Sequence, residues 1–99
     1  SAILIFTTFL KGIYIDMKTL LVYTKQGCSG CIEAKNFLNE LDIPYTEVDV
    51  ELNQNSADFL IQQGDKFLPQ FYANGRRFVP GGWKSLKTMR QHEILDRLK

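Results

Sequence analysis

The sequence predicts an α/β fold, a four-stranded mixed sheet flanked by helices in the order β-α-β-α-β-β-α. Three observations carry this expectation. Short apolar runs of the strand type alternate with stretches of helical period. Asn74-Gly75 stands between two strand-like segments and reads as a tight hairpin turn, because both of its residues accept positive φ. The chain has 99 residues, 44% of them hydrophobic, which is enough for one modest packed core and too little for two.

The elements follow in order. Thr19-Leu20-Leu21-Val22-Tyr23 is an apolar run of the buried-strand kind. Ala34, Phe37, Leu38 and Leu41 recur at i, i+3, i+4 and i+7, one face of a helix, while Glu33, Lys35, Asn36, Asn39 and Glu40 turn outward. Pro44 closes that helix. Tyr45 to Val50 alternates as a second strand, parallel to the first because a whole helix intervenes. Asn53 to Ser56 supply capping side chains for a second helix, whose stripe of Ala57, Leu60 and Ile61 ends at Gly64. Phe71-Tyr72-Ala73 and Arg76-Arg77-Phe78-Val79 are the antiparallel pair around the hairpin turn. After Pro80-Gly81-Gly82 a last helix carries two apolar patches, Leu86 with Met89 and Ile94 with Leu95 and Leu98. The patches do not share one clean face, so an irregular helix is expected.

Residues 1–16 read differently from residues 17–99. Ala2 to Phe6 and Phe9-Leu10 are apolar, only Lys11 and Asp16 are charged, and Met17 looks like a natural start. The segment lacks the basic leader and cleavage site of a signal peptide and falls short of the roughly 20 apolar residues of a membrane span. It is therefore expected to be an extension of cloning or read-through origin ahead of a domain at 17–99. Ile3 to Phe9 should be extended and pair with a sheet edge or a neighbouring chain. The domain is otherwise expected to be a cytoplasmic monomer.

Twelve Lys and Arg against eleven Asp and Glu leave a net charge of +1, which provides no overall field for nucleic acid or a membrane surface. The cysteines say more. There are two, Cys28 and Cys31, and a bridge between them closes too short a loop to restrain the unfolded chain. Chemistry explains them better than stapling. A thiol attacks as thiolate, and an ordinary cysteine near pKa 8.5 is mostly protonated at neutral pH. Where a strand turns into a helix, unpaired N–H groups and the positive end of the helix dipole face Cys28 and stabilise its anion. Lys25 adds positive charge, Gly27 and Gly30 leave the site open, and Ser29 is positioned to cap the helix. Cys31, one turn inside, is the more shielded sulfur. Cys28 is thus expected to attack and Cys31 to resolve the mixed disulfide. A zinc site would need two further ligands, and His92 is the sole histidine, so no metal site is expected.

From Met17 to about Leu98 these landmarks resemble the glutaredoxin family within the thioredoxin-like fold. Tyr23-Thr24-Lys25 followed by Cys28-Ser29-Gly30-Cys31 is similar to the family's active-site segment. Gly64-Asp65-Lys66-Phe67-Leu68-Pro69 is similar to its glycine, basic residue and Thr-Val-Pro stretch, and Gly81-Gly82 falls at its Gly-Gly before the last helix. The resemblance makes Pro69 a cis-proline facing the cysteines. It leaves the Leu68 backbone as an edge for a cysteine-containing peptide, and Gly81 and Gly82 as a place for a carboxylate. Lys25 and Lys66 would hold a second carboxylate, and glutathione, with a carboxylate at each end and a thiol between, is the implied co-substrate. No cofactor is needed for catalysis. The chain departs from the family at Ser29-Gly30, where an aromatic pair is usual, and at Phe67. It departs again at Lys84 and Ser85, where the family takes the glutamyl ammonium of glutathione.

The resemblance implies a thiol-disulfide oxidoreductase acting on protein disulfides or glutathione mixed disulfides. Two alternatives accompany it. Trp83 after the glycines hints at the hydrogen donors of ribonucleotide reductase that are reduced by thioredoxin reductase. Some members of the family instead hold a shared [2Fe-2S] cluster with glutathione. A metallochaperone would require the order β-α-β-β-α-β, which the late hairpin and terminal helix disfavour.

Overall fold

A computed structural model describes residues 6–10 and 13–99 of the chain. The expected order from Leu20 onward is found, with one helix more. The strands are β3 (Leu20–Thr24), β4 (Thr46–Asp49), β5 (Gln70–Ala73) and β6 (Arg76–Arg77). The helices are α1 (Ser29–Glu40), α2 (Gln54–Gln62), α3 (Trp83–Leu86) and α4 (Gln91–Leu98). Ahead of them, β1 (Phe6–Leu10) and β2 (Ile13–Met17) pair antiparallel, from Phe6 opposite Met17 to Leu10 opposite Ile13. Extended chain was expected there, on a sheet edge or a neighbouring chain. Residues 6–10 instead pair with the strand that follows, in a two-stranded sheet of its own. Ile3 to Ile5, expected to be extended as well, lie outside the described residues.

The main sheet has the order β4-β3-β5-β6, with β4 parallel to β3 and the other pairs antiparallel. This is the mixed sheet that the thioredoxin-like fold requires. The alternation of side chains along a strand divides the core into two layers. Leu20 and Val22 on β3 and Phe71 and Ala73 on β5 share one face, packed with Ala34 and Leu38 of α1, Leu86 of α3, and Ile94 and Leu98 of α4. Tyr23 and Tyr72 point to the other face, where Leu60 is buried and Phe59, Val48 and Leu68 pack alongside. Tyr23 and Tyr72 meet edge to face at 5.6 Å, and Phe59 meets Tyr72 in the same way at 5.1 Å.

Three local features differ from the pattern read in the sequence. Ile61 was assigned to the apolar stripe of α2, yet it is 71% exposed. Phe59 packs on the sheet side in its place, because Ile61 falls one residue beyond buried Leu60 and so a quarter-turn further round the helix. The hairpin's second strand stops at Arg77; Phe78 donates its N–H to Phe71 O at 2.8 Å, and Phe78 and Val79 then turn into the core. The irregular last helix is two helices. The Thr88 hydroxyl donates to Ser85 O at 2.8 Å, and Arg90 is extended (φ −92°, ψ 161°), with its N–H held by Glu93 Oε1 at 2.7 Å. That break lets Leu86, Ile94 and Leu98 all reach full burial, which one straight helix could not do with two offset patches.

The second helix begins as expected, with Asn53 Oδ1 accepting from the Ser56 N–H at 3.1 Å. Lys18 N–H donates to Leu98 O at 2.6 Å and ties the last helix to the entry of the sheet. Phe71 is 1% exposed at the centre of the larger layer. Phe71→Ala should therefore lower the stability of the protein by about 3–5 kcal/mol. Urea unfolding should show this as a lower midpoint with an unchanged slope.

Candidate active site

The chain leaves β3 at Thr24 and passes through Lys25 to Gly27, which takes φ +74°, into the first turn of α1. Cys28 itself is the residue that caps this helix. Its backbone is extended (φ −96°, ψ 106°), and its sulfur accepts the N–H of Cys31 at 3.1 Å. Ser29 was expected in that role and is instead the first helical residue, with an exposed side chain. The reason is geometric. A capping side chain reaches the N–H three residues on from the last extended residue, and here that residue is Cys28.

Cys28 and Cys31 are joined as a disulfide with their Cα atoms 5.2 Å apart. Cys31 is 1% exposed and Cys28 half-buried, so Cys28 is the sulfur an incoming partner can reach. Once the bridge is reduced, the N–H that caps through Cys28 becomes a donor to a thiolate. A hydrogen bond of that kind is stronger to an anion than to a neutral group and favours ionisation.

Leu68 O lies 3.9 Å from Cys28 Sγ, and the Leu68–Pro69 peptide is cis. Pro69 is buried over the start of α1. A Cβ on Gly30 would lie 3.4 Å from Pro69 Cδ and 3.9 Å from Trp83 Cδ1, ordinary contact distances, so the first turn of α1 packs against both rings. Trp83 in turn meets Phe37 edge to face at 5.4 Å and donates its indole N–H to Glu33 Oε1 at 3.4 Å.

An open groove of about 510 Å³ runs beside this corner. Lys66, Leu68, Pro69, Gly81 and Gly82, all singled out from the sequence, line it together. Gly82 has φ +58°, and a Cβ there would stand 3.5 Å from Pro69 O. Two expected binding residues lie elsewhere. Lys25 is exposed on the loop before α1 and is not among the lining residues. Ser85 turns its hydroxyl back to the carbonyl of Pro80 and braces the glycine loop.

Sequence reasoning missed Asp65, Gln70 and Arg77 as groove residues. The Asp65 side chain is 8% exposed. It accepts from the Tyr72 hydroxyl on one oxygen and, on the other, from Arg77 Nε at 3.0 Å and Nη2 at 2.7 Å. Arg77 Nη2 also donates to Gln63 O at 2.6 Å, which pins the end of α2 to the hairpin. The hairpin turn does place Arg77 opposite Tyr72. That the two side chains converge on one carboxylate depends on where α2 ends. Among the described residues, no group of three or more His, Cys, Asp or Glu side chains gathers as a metal site.

A family profile for glutaredoxin matches residues 20–79, which include both cysteines and Pro69. Glutaredoxin 1 of Rickettsia conorii is 31% identical over 85 residues, covering 83% of this chain and 81% of that protein. N-acetyl-S-hydroxy-L-cysteine reductase of Bacillus subtilis is 36% identical over 55 residues, 54% of this chain and 59% of that enzyme's length. Among solved structures, a buckwheat glutaredoxin–glutathione complex superposes with a TM-score of 0.64 at 21% identity, over 82% of this chain and 76% of that one. The fold is thioredoxin-like, and the chain belongs to the glutaredoxin family. Its Cys28–Cys31 pair is that of a glutaredoxin-like thiol oxidoreductase.

The Tyr72 phenol is pushed up to about 12, first by burial and then by its hydrogen bond to Asp65. A raised folded pKa stabilises the protein fully below the ordinary tyrosine value of 10.0, and that stabilisation is lost as pH rises through about 12. Unfolding free energy should accordingly decline between pH 10 and 12 in the native protein. Tyr72→Phe should flatten that slope, as read by urea unfolding at a series of pH values.

Proposed function

We propose that this protein reduces mixed disulfides between cysteine-containing partners and a small carboxylated thiol, with glutathione the co-substrate that the family resemblance implies. One observation carries the reading: the accessible sulfur of Cys28 sits at a helix start, on a backbone donor, beside a groove large enough for a small peptide thiol. The Cys28 thiolate attacks the sulfur of the thiol seated in the groove, and the partner's sulfur leaves as thiolate. Cys31 then gives up its proton, attacks Cys28 Sγ, and releases the seated thiol. Two electrons pass from the protein dithiol to the substrate disulfide, and an external thiol restores the dithiol. Lys25, exposed on the loop before Cys28, adds positive charge to that loop, outside the groove. Lys66 and the Gly81-Gly82 backbone flank the groove where carboxylates would lie.

The Bacillus relative favours a second electrophile for the same pair. Its name describes reduction of the S-hydroxy form of an N-acetylated cysteine. A sulfenic acid attacked by Cys28 loses hydroxide and becomes a mixed disulfide, which Cys31 resolves as before.

Cys28→Ser should abolish disulfide reduction, since no other sulfur can begin the sequence. Cys31→Ser should retain part of the activity on small-thiol mixed disulfides, because an external thiol can replace the resolving step. Reduction of a glutathionylated peptide, followed by mass spectrometry, measures both. Equal and full activity in the two variants would overturn the assignment of roles.

A further inference from the structure

A second hollow, of about 220 Å³, lies at the hairpin end of the main sheet. Its wall includes Ala73, which pairs with Leu20 at the first residue of β3, whereas the cysteines follow the last, Thr24. Four cations line it, Lys18, Arg76, Arg77 and Arg97, and no carboxylate does. Arg77 is already paired with Asp65 at 2.7 Å. Lys18, Arg76 and Arg97 have no ion-pair partner among the described residues from Lys18 onward. The fold gathers them from three separate stretches of chain. Lys18 is held through its backbone N–H on Leu98 O at 2.6 Å, next to Arg97, whose Nη1 donates to Phe78 O at 3.2 Å. Arg76 is set opposite Ala73 by the hairpin. The last turn of a helix favours a cation, which accounts for Arg97 by itself but not for Lys18 and Arg76 beside it.

We propose that this hollow binds a small oxyanion with two or more negative charges, of the diphosphate class, at the end of the sheet away from the Cys28–Cys31 pair. Like charges gathered without a counter-charge repel one another, and a polyanion seated between them removes that repulsion while attracting each. Guanidinium groups present paired donors that match phosphoryl oxygens, and the lysine ammonium adds a compact charge. Size narrows the class. Pockets for drug-sized ligands run from about 300 Å³ upward, so 220 Å³ suits bare phosphoryl groups and is too small to enclose a nucleotide. The net charge of the chain is only +1, so binding depends on this local arrangement and not on a general attraction for anions. The cysteine chemistry takes no part in it.

Titration of the full chain with inorganic diphosphate, at an ionic strength held constant with sodium chloride, tests this by amide NMR and by thermal unfolding. Binding should saturate and raise the melting temperature. It should move the amide signals of Lys18, Asn74, Arg76 and Arg97 while those of Gly30 and Gly82 stay in place. Lys18→Gln and Arg76→Gln alter exposed side chains, so circular dichroism should show the fold of each intact. Each should weaken diphosphate binding by about tenfold, the loss of one charge-assisted contact. Binding unaltered in both variants, or amide shifts centred on Lys66 and the Gly81-Gly82 loop, would overturn the site. A response that sodium chloride of equal ionic strength reproduces would overturn it too, as would binding of a single-stranded oligonucleotide but not of diphosphate.

Discussion

The sulfur of Cys28 is at once the cap of a helix and the more accessible half of the Cys28–Cys31 disulfide, and most of the architecture serves to keep it in that double position. A capping sulfur must sit on the last extended residue before a helix whose N–H groups are open, 3.1 Å from the N–H of Cys31. That demands a strand ending just before it and a helix anchored just after it. β3 is buried between two paired neighbours, and α1 is fastened by Ala34 and Leu38, both without solvent exposure. With both elements fixed in one core, the loop from Lys25 to Gly27 has little freedom to let the sulfur drift from its donor. The helix cap and the disulfide here share one sulfur.

The second wall of the site depends on small residues meeting rigid ones. Pro69 and Trp83 pack against the first turn of α1 at Gly30, and Gly82 turns past Pro69 with φ +58°, a conformation that favours glycine. The tryptophan is held from behind by Phe37 and Glu33, both on α1. The helix that carries the cysteines therefore also orients the opposite wall of the groove. Ser85, by bonding to Pro80, makes the glycine loop a braced turn.

Charge follows a similar division of labour. The Asp65 side chain is largely enclosed and is engaged by Tyr72 and Arg77, and Arg77 in turn binds the end of α2 to the hairpin through Gln63 O. A carboxylate so placed is costly to leave unpaired, and its pairing removes it from any part in ligand recognition. The lysines on the groove walls have no such partner among the described residues, which leaves the groove cationic in a protein whose net charge is only +1. Local field and overall charge are separate quantities.

The order of elements, the parallel pairing of the first two strands of the main sheet, the hairpin at Asn74-Gly75 and the cysteine pair at a helix start were all legible in the sequence. Each is written in local signals: period, turn chemistry and spacing. Five of the seven expected binding residues also meet in one groove, because their landmarks recur in order along the chain. The structure alone decided the rest. Whether Ser29 or Cys28 caps α1 depends on which residue is the last extended one, a matter of a single backbone rotation. Where the last helix breaks is set by two offset patches seeking one core, and the pairing of residues 6–10 with 13–17 is one of several edges an apolar strand can choose. The convergence of Asp65, Tyr72 and Arg77 joins three elements across the fold. No periodicity within any one of them encodes it, since side-chain partners across elements are fixed only when packing brings the backbones together.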